Sequence, residues 1–173
     1  MNQKWISILC ILVILLSGCK GLENQKEPIS KGDTGFITNL DNKQILIKST
    51  YYTITDEMRI QDANGNQLSY ADLTIGMKVK PWYVGGIEES FPSRAKANLL
   101  IVLTDSESKA EQNAVTAAIE SVTEAASQRF MVLQMTHVSR EDVYKIEMMN
   151  RSNMDTSFIV IVDDRTNKVV DPL

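Results

Sequence analysis

The chain has few residues that could carry metal or redox chemistry. Its 173 residues include only two cysteines and one histidine, and both cysteines, Cys10 and Cys19, lie within the first nineteen positions. A structural zinc site usually takes four cysteine or histidine ligands, and His137 has no second imidazole to join it. The sequence therefore predicts no metal site and no cofactor.

Long hydrophobic runs are also missing. A membrane-spanning helix needs about twenty consecutive apolar residues, whereas the longest largely apolar run, residues 6–16, has eleven. Lys4 precedes this run and two small residues follow it, which is the arrangement of a secretory signal peptide. We therefore predict that residues 1–18 form a signal peptide that is removed from the mature protein.

The end of this segment carries a more specific pattern. Leu16, Ser17, Gly18 and Cys19 resemble the bacterial lipobox, which runs Leu-small-Gly-Cys. The resemblance implies that Cys19 carries a diacylglycerol thioether and that its amine, freed by cleavage, can carry a further acyl chain such as palmitate. Two acyl chains hold a protein stably on a membrane, whereas one binds only marginally. The alternative is an uncleaved anchor helix, but the polar residues from Lys20 onward make that span too short.

The charge of the chain bears on its partners. Acidic residues outnumber basic ones by 22 to 18, for a net charge of −4. The chain lacks the excess of positive charge typical of nucleic-acid-binding proteins, and it gains little attraction to anionic lipids. We therefore expect no nucleic-acid partner and a lipid-anchored position on the extracytoplasmic face of the membrane. The mature chain would hold no disulfide, since Cys10 is removed and Cys19 is modified.

The mature chain divides into three segments. Residues 19–33 contain the lipidated cysteine and a mostly polar stretch, which predicts a flexible tether. Residues 34–104 consist of short apolar runs separated by turns, which predicts a small OB-like β-barrel domain. Within it, Asn64-Gly65 predicts a hairpin turn, and Pro81 inside an alternating run predicts an edge or a bulge.

The period of the apolar residues changes after residue 104. Apolar residues then recur every three or four positions, which predicts a helix. Ser108 and Glu111 have the spacing of a capping box at its start. Three strands at about 130–138, 142–149 and 157–162 follow, and residues 168–170 are a candidate edge strand. Residues 105–173 thus predict a helix packed on a three- to four-stranded antiparallel sheet, so the whole chain is of mixed α+β class.

Two resemblances to known families concern these segments. Gly35-Phe36-Ile37, residues 75–79 and residues 86–95 together are similar to the YobA-like lipoproteins of Gram-positive bacteria, a family of unknown function. The resemblance covers about residues 34–104 and implies a small β-barrel on a lipid anchor, without assigned catalytic residues. Residues 159–170 resemble the closing hairpin of PepSY-type exported domains, with Asn167 in place of the usual glycine.

The strongest candidate for catalysis is the segment with Glu88, Glu89, Ser90 and Arg94. Neighbouring residues on a strand point to opposite faces, so the two carboxylates would not share a substrate. Ser90 also lacks the Gly-x-Ser-x-Gly turn of serine hydrolases. We interpret the segment as a turn or bulge that sets the register of the next strand, with ligand binding as the alternative, and we expect no catalytic residue and no enzymatic activity.

Two acidic segments could in principle bind a hard cation. Asp163, Asp164 and Asp171 supply the carboxylates that calcium prefers, but a solvated strand end and turn is the favoured interpretation. The segment that begins at Asp62 has its glycine at the fourth position, whereas an EF-hand loop requires it at the sixth. A simple Asn-Gly turn explains this segment better.

One predicted strand face could bind a ligand. Alternation places Lys80 and Trp82 on the same face, and Arg94 would join them in an OB-like barrel, whose faces bind oligosaccharides. The alternative is that Trp82 packs against the tether or the second domain. We therefore expect a lipid-anchored, non-enzymatic binding or protein-interaction module of the cell envelope. Its partner would be an envelope protein or a wall polymer. Alternative functions are modulation of an exported protease, suggested by the PepSY-type resemblance, and binding of a cell-wall glycan.

Overall fold

The computed structural model of the protein describes residues 27–123 and 129–171. The predicted signal peptide, Cys10, Cys19 and most of the predicted tether lie outside these residues. Within them, no helix is long and apolar enough to cross a membrane. The elements in chain order are β1 Ile29–Lys31, β2 Gly35–Asp41, β3 Gln44–Ile47, β4 Thr50–Thr53, β5 Arg59–Asp62, β6 Gln67–Leu68, a 3-10 turn Tyr70–Asp72, β7 Lys78–Glu88, β8 Ser93–Val102, α1 Ser106–Val122, β9 Phe130–Val138, β10 Val143–Asn150, β11 Asn153–Asp163 and β12 Val169–Asp171.

Eight strands form an N-terminal sheet in the order β1–β7–β2–β3–β4–β8–β5–β6, and a further ladder joins β7 to β8. Five of them therefore make a cycle of ladders that runs β2–β3–β4–β8–β7 and returns to β2. Every ladder of the cycle is antiparallel except the parallel one between β4 and β8. The ladder between β2 and β7 has only two residue pairs, Gly35 with Val79 and Phe36 with Lys78, so these two strands of the cycle pair over a short length.

Strand β3 is buried on both of its faces. Its alternate residues Ile45 and Ile47 belong to a buried cluster that draws side chains from all five strands of the cycle. Leu46, on the opposite face, instead packs with Tyr51 of β4 and Met131 of β9. A strand covered on both faces reads as a continuous apolar run rather than an alternating one. The members of the first cluster are Ile37, Ile45, Ile47, Tyr52, Ile60, Leu73, Val79, Ala95, Ala97, Leu100 and Val102.

The second half of the chain forms a four-stranded antiparallel sheet, β12–β11–β10–β9, with α1 packed on it. Ala114, Val115 and Ala118 of the helix are fully buried against apolar side chains of β9, β10 and β11. Their spacing of one, three and four residues puts them on the same stripe of the helix. The predicted mixed α+β class and the helix on an antiparallel sheet are therefore confirmed.

The start of α1 differs from the prediction. Asp105 is the N-cap, and its side chain accepts hydrogen bonds from the Ser108 backbone N at 2.9 Å and the Ser108 hydroxyl at 2.8 Å. These bonds lower the pKa of the Asp105 carboxyl. The predicted capping box of Ser108 with Glu111 is wrong because Asp105 already satisfies the free N–H group. Glu111 instead pairs with Lys78 of β7.

The two sheets share apolar contacts across residue 105. Phe36 of β2 belongs to the cluster under the helix, and Met131 of β9 packs with Leu46 and Tyr51. The ion pair of Lys78 with Glu111, both partly buried, also joins β7 to α1. Residue 105 thus marks a change from one sheet to the other, while side chains from both sides form common clusters.

The last part of the predicted flexible tether is ordered. Residues 29–31 form β1, which pairs with β7 through Ile29 with Val84, Ser30 with Tyr83 and Lys31 with Trp82. The flexible interpretation is wrong for these residues because backbone hydrogen bonds, which composition does not reveal, hold them to the free edge of β7. The Gly85 N–H also donates to the Pro28 carbonyl at 3.0 Å, so the ordered chain begins before β1.

Candidate functional site

The most distinctive surface of the described chain lies where β1, β7, β8 and β5 run side by side. The registers pair Lys31 with Trp82, Trp82 with Leu99 and Leu99 with Arg59. Side chains at paired positions share one face of a sheet, so these four residues form a row across four strands. The neighbouring row consists of Lys80, Ile101 and Gln61. We call these seven residues the Trp82 face.

The Trp82 face has an apolar centre with cations at its edges. Trp82, Leu99 and Ile101 are half-buried, whereas Lys31, Lys80 and Arg59 are exposed. Lys31 Nζ lies 4.9 Å from the centroid of the Trp82 ring, a distance at which a cation and an aromatic ring attract each other. At one strand spacing per step, Lys31 and Arg59 stand about 14 Å apart.

The three cations of the face are not neutralised by nearby acids. Among the residues that the structure describes, none of Lys31, Lys80 and Arg59 has a carboxylate oxygen within 4.0 Å. Other lysines do form such pairs, for example Lys43 with Asp56. The face therefore concentrates unpaired positive charge on a chain whose net charge is −4.

Two local features of the backbone position this face. Pro81 is buried inside β7, and the register of β7 with β8 shifts between Trp82 and Tyr83. Of the alternatives predicted for Pro81, an edge or a bulge, the structure thus shows a bulge next to it. Pro81 has no N–H to donate, but its carbonyl accepts from the Gly32 N–H at 2.9 Å, which fixes the end of β1.

Gly32 allows the end of β1 to lie close to Tyr52 of β4 and Pro81 of β7. A Cβ atom at this position would meet the Tyr52 hydroxyl oxygen at 2.2 Å and Pro81 Cγ at 3.0 Å. Burial of the Tyr52 side chain raises the pKa of its hydroxyl to about 12. The absence of a side chain at Gly32 is therefore what lets Lys31 reach the ring of Trp82.

Of the three residues predicted to bind a ligand, two lie together and one does not. Lys80 and Trp82 share the face, as alternation predicts. Arg94 lies on β8 five residues before Leu99, the partner of Trp82, which is about 16 Å along the strand. It stands opposite Glu88 of β7 and beside Tyr51 of β4. Arg94 is therefore outside the Trp82 face.

No local pattern predicts that Arg59 and Lys31 belong to the face. Arg59 joins it through the parallel ladder of β5 with β8, which connects residues forty positions apart in the chain. Lys31 joins it through β1, a strand of three residues inside a polar segment. The alternative predicted for Trp82 was packing against the tether, residues 19–33. Lys31 belongs to that segment and lies over the Trp82 ring, so this alternative describes part of the surroundings of Trp82.

The segment with Glu88 and Glu89 forms the turn between β7 and β8, as interpreted from the sequence. The Ser90 hydroxyl donates to the Pro92 carbonyl at 2.9 Å, and the Ser90 N–H donates to the Glu88 carbonyl at 2.9 Å. Beside the turn, a cleft of about 500 Å³ is lined by charged residues including Glu27, Arg94 and Lys96. The serine hydroxyl is thus engaged within its own turn.

The lone histidine has an acid and a hydroxyl beside it. His137 Nε2 lies 2.9 Å from Asp164 Oδ2, and His137 Nδ1 lies 3.5 Å from the Ser139 hydroxyl. The separation from Ser139 is longer than the roughly 2.6–3.2 Å of a close hydrogen bond to a general base, so the contact with Asp164 is the tighter of the two. The ring also lies 4.7 Å from the ring of Tyr144, which explains the position of His137 by packing and one hydrogen bond.

The two acidic segments form turns. Asp163 accepts from the Thr166 hydroxyl at 2.7 Å and the Thr166 N–H at 2.8 Å, bonds that lower the pKa of its carboxyl. Asp62 accepts from Asn66 in the same way, and Gly65 adopts φ +88° in the hairpin turn that Asn64-Gly65 predicts. Within the described ranges, no group of three or more histidine, cysteine or acidic residues is arranged to hold a metal ion.

A second cavity lies between the two sheets. It has a volume of about 360 Å³ and is lined by residues that include Phe36, Lys78, Glu111 and Met135. Three charged residues line it: Lys78 pairs with Glu111, and Lys48 pairs with Asp33 at 3.6 Å. Each charge of the cavity thus has a partner of opposite sign, unlike the cations of the Trp82 face.

No family model matches the chain, and no curated protein or solved structure matches it either. The resemblances to YobA-like lipoproteins and to PepSY-type domains therefore stay predictions.

Proposed function

We propose that the protein is a lipid-anchored, non-enzymatic binding module on the extracytoplasmic face of a Gram-positive cell membrane, and that its Trp82 face binds an anionic wall polymer. The lipobox at Leu16-Ser17-Gly18-Cys19 supports the anchor. The observation that carries the binding proposal is the row Lys31–Trp82–Leu99–Arg59, in which two unpaired cations flank an aromatic and an aliphatic side chain.

We also propose that the cycle of five strands is an OB-like barrel. Five strands is the number in that fold, and the buried cluster drawn from all five supports a closed interior. In an OB-fold, ligands bind on the face of the second and third strands, which correspond here to β3 and β4. Leu46 and Tyr51 of that face are covered by Met131, so the surface left for a ligand is the Trp82 face.

The chemistry of the Trp82 face suits a polymer that has both sugar rings and phosphate or carboxylate groups. An aromatic ring offers a flat apolar surface for a sugar, and Lys31 and Arg59, from the two outer strands of the row, offer charges to anionic groups. These charges are exposed, so their attraction weakens as salt shortens the Debye length from about 10 Å at 0.1 M to 3 Å at 1 M. Binding should therefore depend on salt.

The test measures binding of the soluble chain from residue 20 to purified cell walls, with and without their covalently attached anionic polymers. The wild type should bind the complete walls and lose binding when those polymers are removed. The double variant Lys31→Ala/Arg59→Ala should bind at least about tenfold more weakly, a loss of about 1.4 kcal/mol. Trp82→Ala should weaken binding as well.

Lys109→Ala is the matched control, because Lys109 is an exposed lysine on α1 and its loss changes the net charge without changing the face. This variant should bind like the wild type. Equal losses in Lys109→Ala and in Lys31→Ala would mean that net charge, rather than the face, governs binding. Failure of the wild type to bind any wall fraction would contradict the glycan proposal.

A second candidate function is the modulation of an exported protease by the C-terminal half. Strand β11 pairs with β10 along its length, but β12 pairs with it only at Ile161 and Val162. In the described part of the chain, the other edge of residues 153–160 is thus unpaired, and an unpaired edge can bind an extended peptide as an added strand. Thr156→Pro in the full chain would abolish retention of an envelope protease if this edge binds it, whereas Trp82→Ala would not.

A further inference from the structure

The end of the β7–β8 hairpin carries an unusual set of exposed apolar side chains. Ile87 and Phe91 lie in or beside its turn and are 41% and 53% exposed, and Ile29, opposite Val84 at the start of β1, is 54% exposed. Single exposed apolar residues are normal on a protein surface, but a group of them at one end indicates an interaction site. We call these three residues the hairpin tip.

The course of the chain places the N-terminal segment at the same end. Because β1 is antiparallel to β7, the chain before β1 leaves in the direction in which β7 runs, towards the turn. The bond from the Gly85 N–H to the Pro28 carbonyl keeps this segment beside β7 as far as residue 28. Eight residues, 19–26, precede the described chain, and fully extended they span at most about 29 Å.

We propose that the hairpin tip contacts the headgroup region of the membrane to which the protein is anchored. This inference rests on the proposed lipid anchor at Cys19, which holds the tip within reach of the bilayer and on the side that faces it. Apolar side chains gain free energy by entering the boundary between headgroups and acyl chains. Glu88 and Glu89, in the same turn, carry charges that keep the contact shallow.

The contact also fixes the orientation of the Trp82 face. Strand β7 runs towards the tip and β8 runs back from it, so the axis of the hairpin points at the bilayer when the tip touches it. The Trp82 face lies along the sides of these strands. It therefore stands upright on the membrane and faces sideways, where wall polymers pass, rather than towards the lipid.

The test uses the full lipidated protein in phosphatidylcholine vesicles. The described residues contain no cysteine, so Phe91→Cys offers one site for a thiol-reactive fluorophore whose emission reports the polarity of its surroundings. Asn64→Cys is the matched control: it is exposed in the β5–β6 turn, at the opposite end of β8, about 30 Å away. Both positions are on the surface, so circular dichroism should show the wild-type fold.

The emission of the fluorophore at position 91 should shift to shorter wavelength and be quenched by a nitroxide attached to the lipids. The fluorophore at position 64 should show the emission expected in water and no quenching. If the protein floats with the vesicles while both fluorophores report water, the tip does not contact the membrane although the anchor holds. If the protein does not float, the anchor fails and this inference fails with it. If the fluorophore at position 91 reports apolar surroundings in whole cells but not in vesicles, the tip binds a protein rather than lipid, and the inference is overturned.

Discussion

Replacement of Gly32 by alanine should detach β1 from the sheet. The added Cβ would lie 2.2 Å from the Tyr52 hydroxyl oxygen and 3.0 Å from Pro81 Cγ, and both distances are shorter than normal contacts. A cavity of about 260 Å³ borders Gly32 and Tyr52, but the Tyr52 ring belongs to the buried cluster, so its hydroxyl can move only if the whole ring shifts. The cheaper response is a displacement of β1, a three-residue strand that its backbone ladder and the contact of Lys31 with Trp82 hold to β7.

The size of the effect follows from the bonds at stake. The bonds at the two ends of β1, from Gly32 to Pro81 and from Gly85 to Pro28, contribute about 0.5–1.5 kcal/mol each, so their loss costs about 1–3 kcal/mol in total. The released residues regain conformational freedom, which offsets part of this cost. We therefore expect a modest fall in the free energy of unfolding, but a large local change at β1.

Amide hydrogen exchange separates the local effect from the global one. In Gly32→Ala, the amides around residue 32 should exchange at least about tenfold faster, because tenfold corresponds to about 1.4 kcal/mol, while those of α1 should change little. The Trp82 fluorescence should also shift as Lys31 leaves its ring. Gly86→Ala is the matched control, since a Cβ there has no atom within 4 Å; it should leave both readouts unchanged. If the amides around residue 32 exchange in Gly32→Ala at the wild-type rate, the added methyl group does not displace β1 and the prediction is refuted.

Four further predictions concern the anchor, the helix, the junction of the sheets and pH. Cys19→Ala should leave an unlipidated protein in the membrane-free fraction, seen by mass spectrometry and fractionation. Asp105→Ala should lower the free energy of unfolding in urea by about 0.5–2 kcal/mol, the usual value of an N-cap. Leu46→Ala should lower the free energy of unfolding by about 2–5 kcal/mol. Because Leu46 packs with Met131 of the second sheet, both halves of the chain should still unfold in one transition, at a lower urea concentration. Burial raises the pKa of the Tyr52 hydroxyl from 10.0 to about 12, so this hydroxyl ionises in the unfolded chain at a lower pH than in the folded one. The free energy of unfolding should therefore fall as the pH rises from about 10 to about 12.

Local patterns in the sequence predicted several elements correctly. The three- and four-residue spacing of Val115, Ala118, Ile119 and Val122 predicted the helix, because a buried stripe on a helix recurs with that period. The pair Asn64-Gly65 predicted a hairpin turn, because that turn requires positive φ. Pro81 predicted an irregularity in β7. Each of these signals depends only on neighbouring residues.

The arrangement of the Trp82 face could not be predicted in this way. Lys80 and Trp82 were found together because they are two positions apart on one strand. Arg94 was wrongly grouped with them, since its distance from Trp82 depends on the register of β7 with β8, which contains shifts. Arg59 was missed because a parallel ladder between distant segments brings it there, and single-sequence patterns do not specify such a ladder.

The short strand β1 links the proposed anchor, the hairpin tip and the Trp82 face. Ile29 at its start belongs to the tip and Lys31 at its end lies over Trp82, so one hydrogen-bonded segment fixes the distance between the two surfaces. A flexible tether up to residue 33 would leave the domain free to rotate on the membrane. Because the chain is held to β7 from residue 28 onward, only nine residues, 19–27, connect the proposed anchor to the ordered domain. Such a short linker limits that rotation, so a contact at the tip is enough to set which way the Trp82 face points.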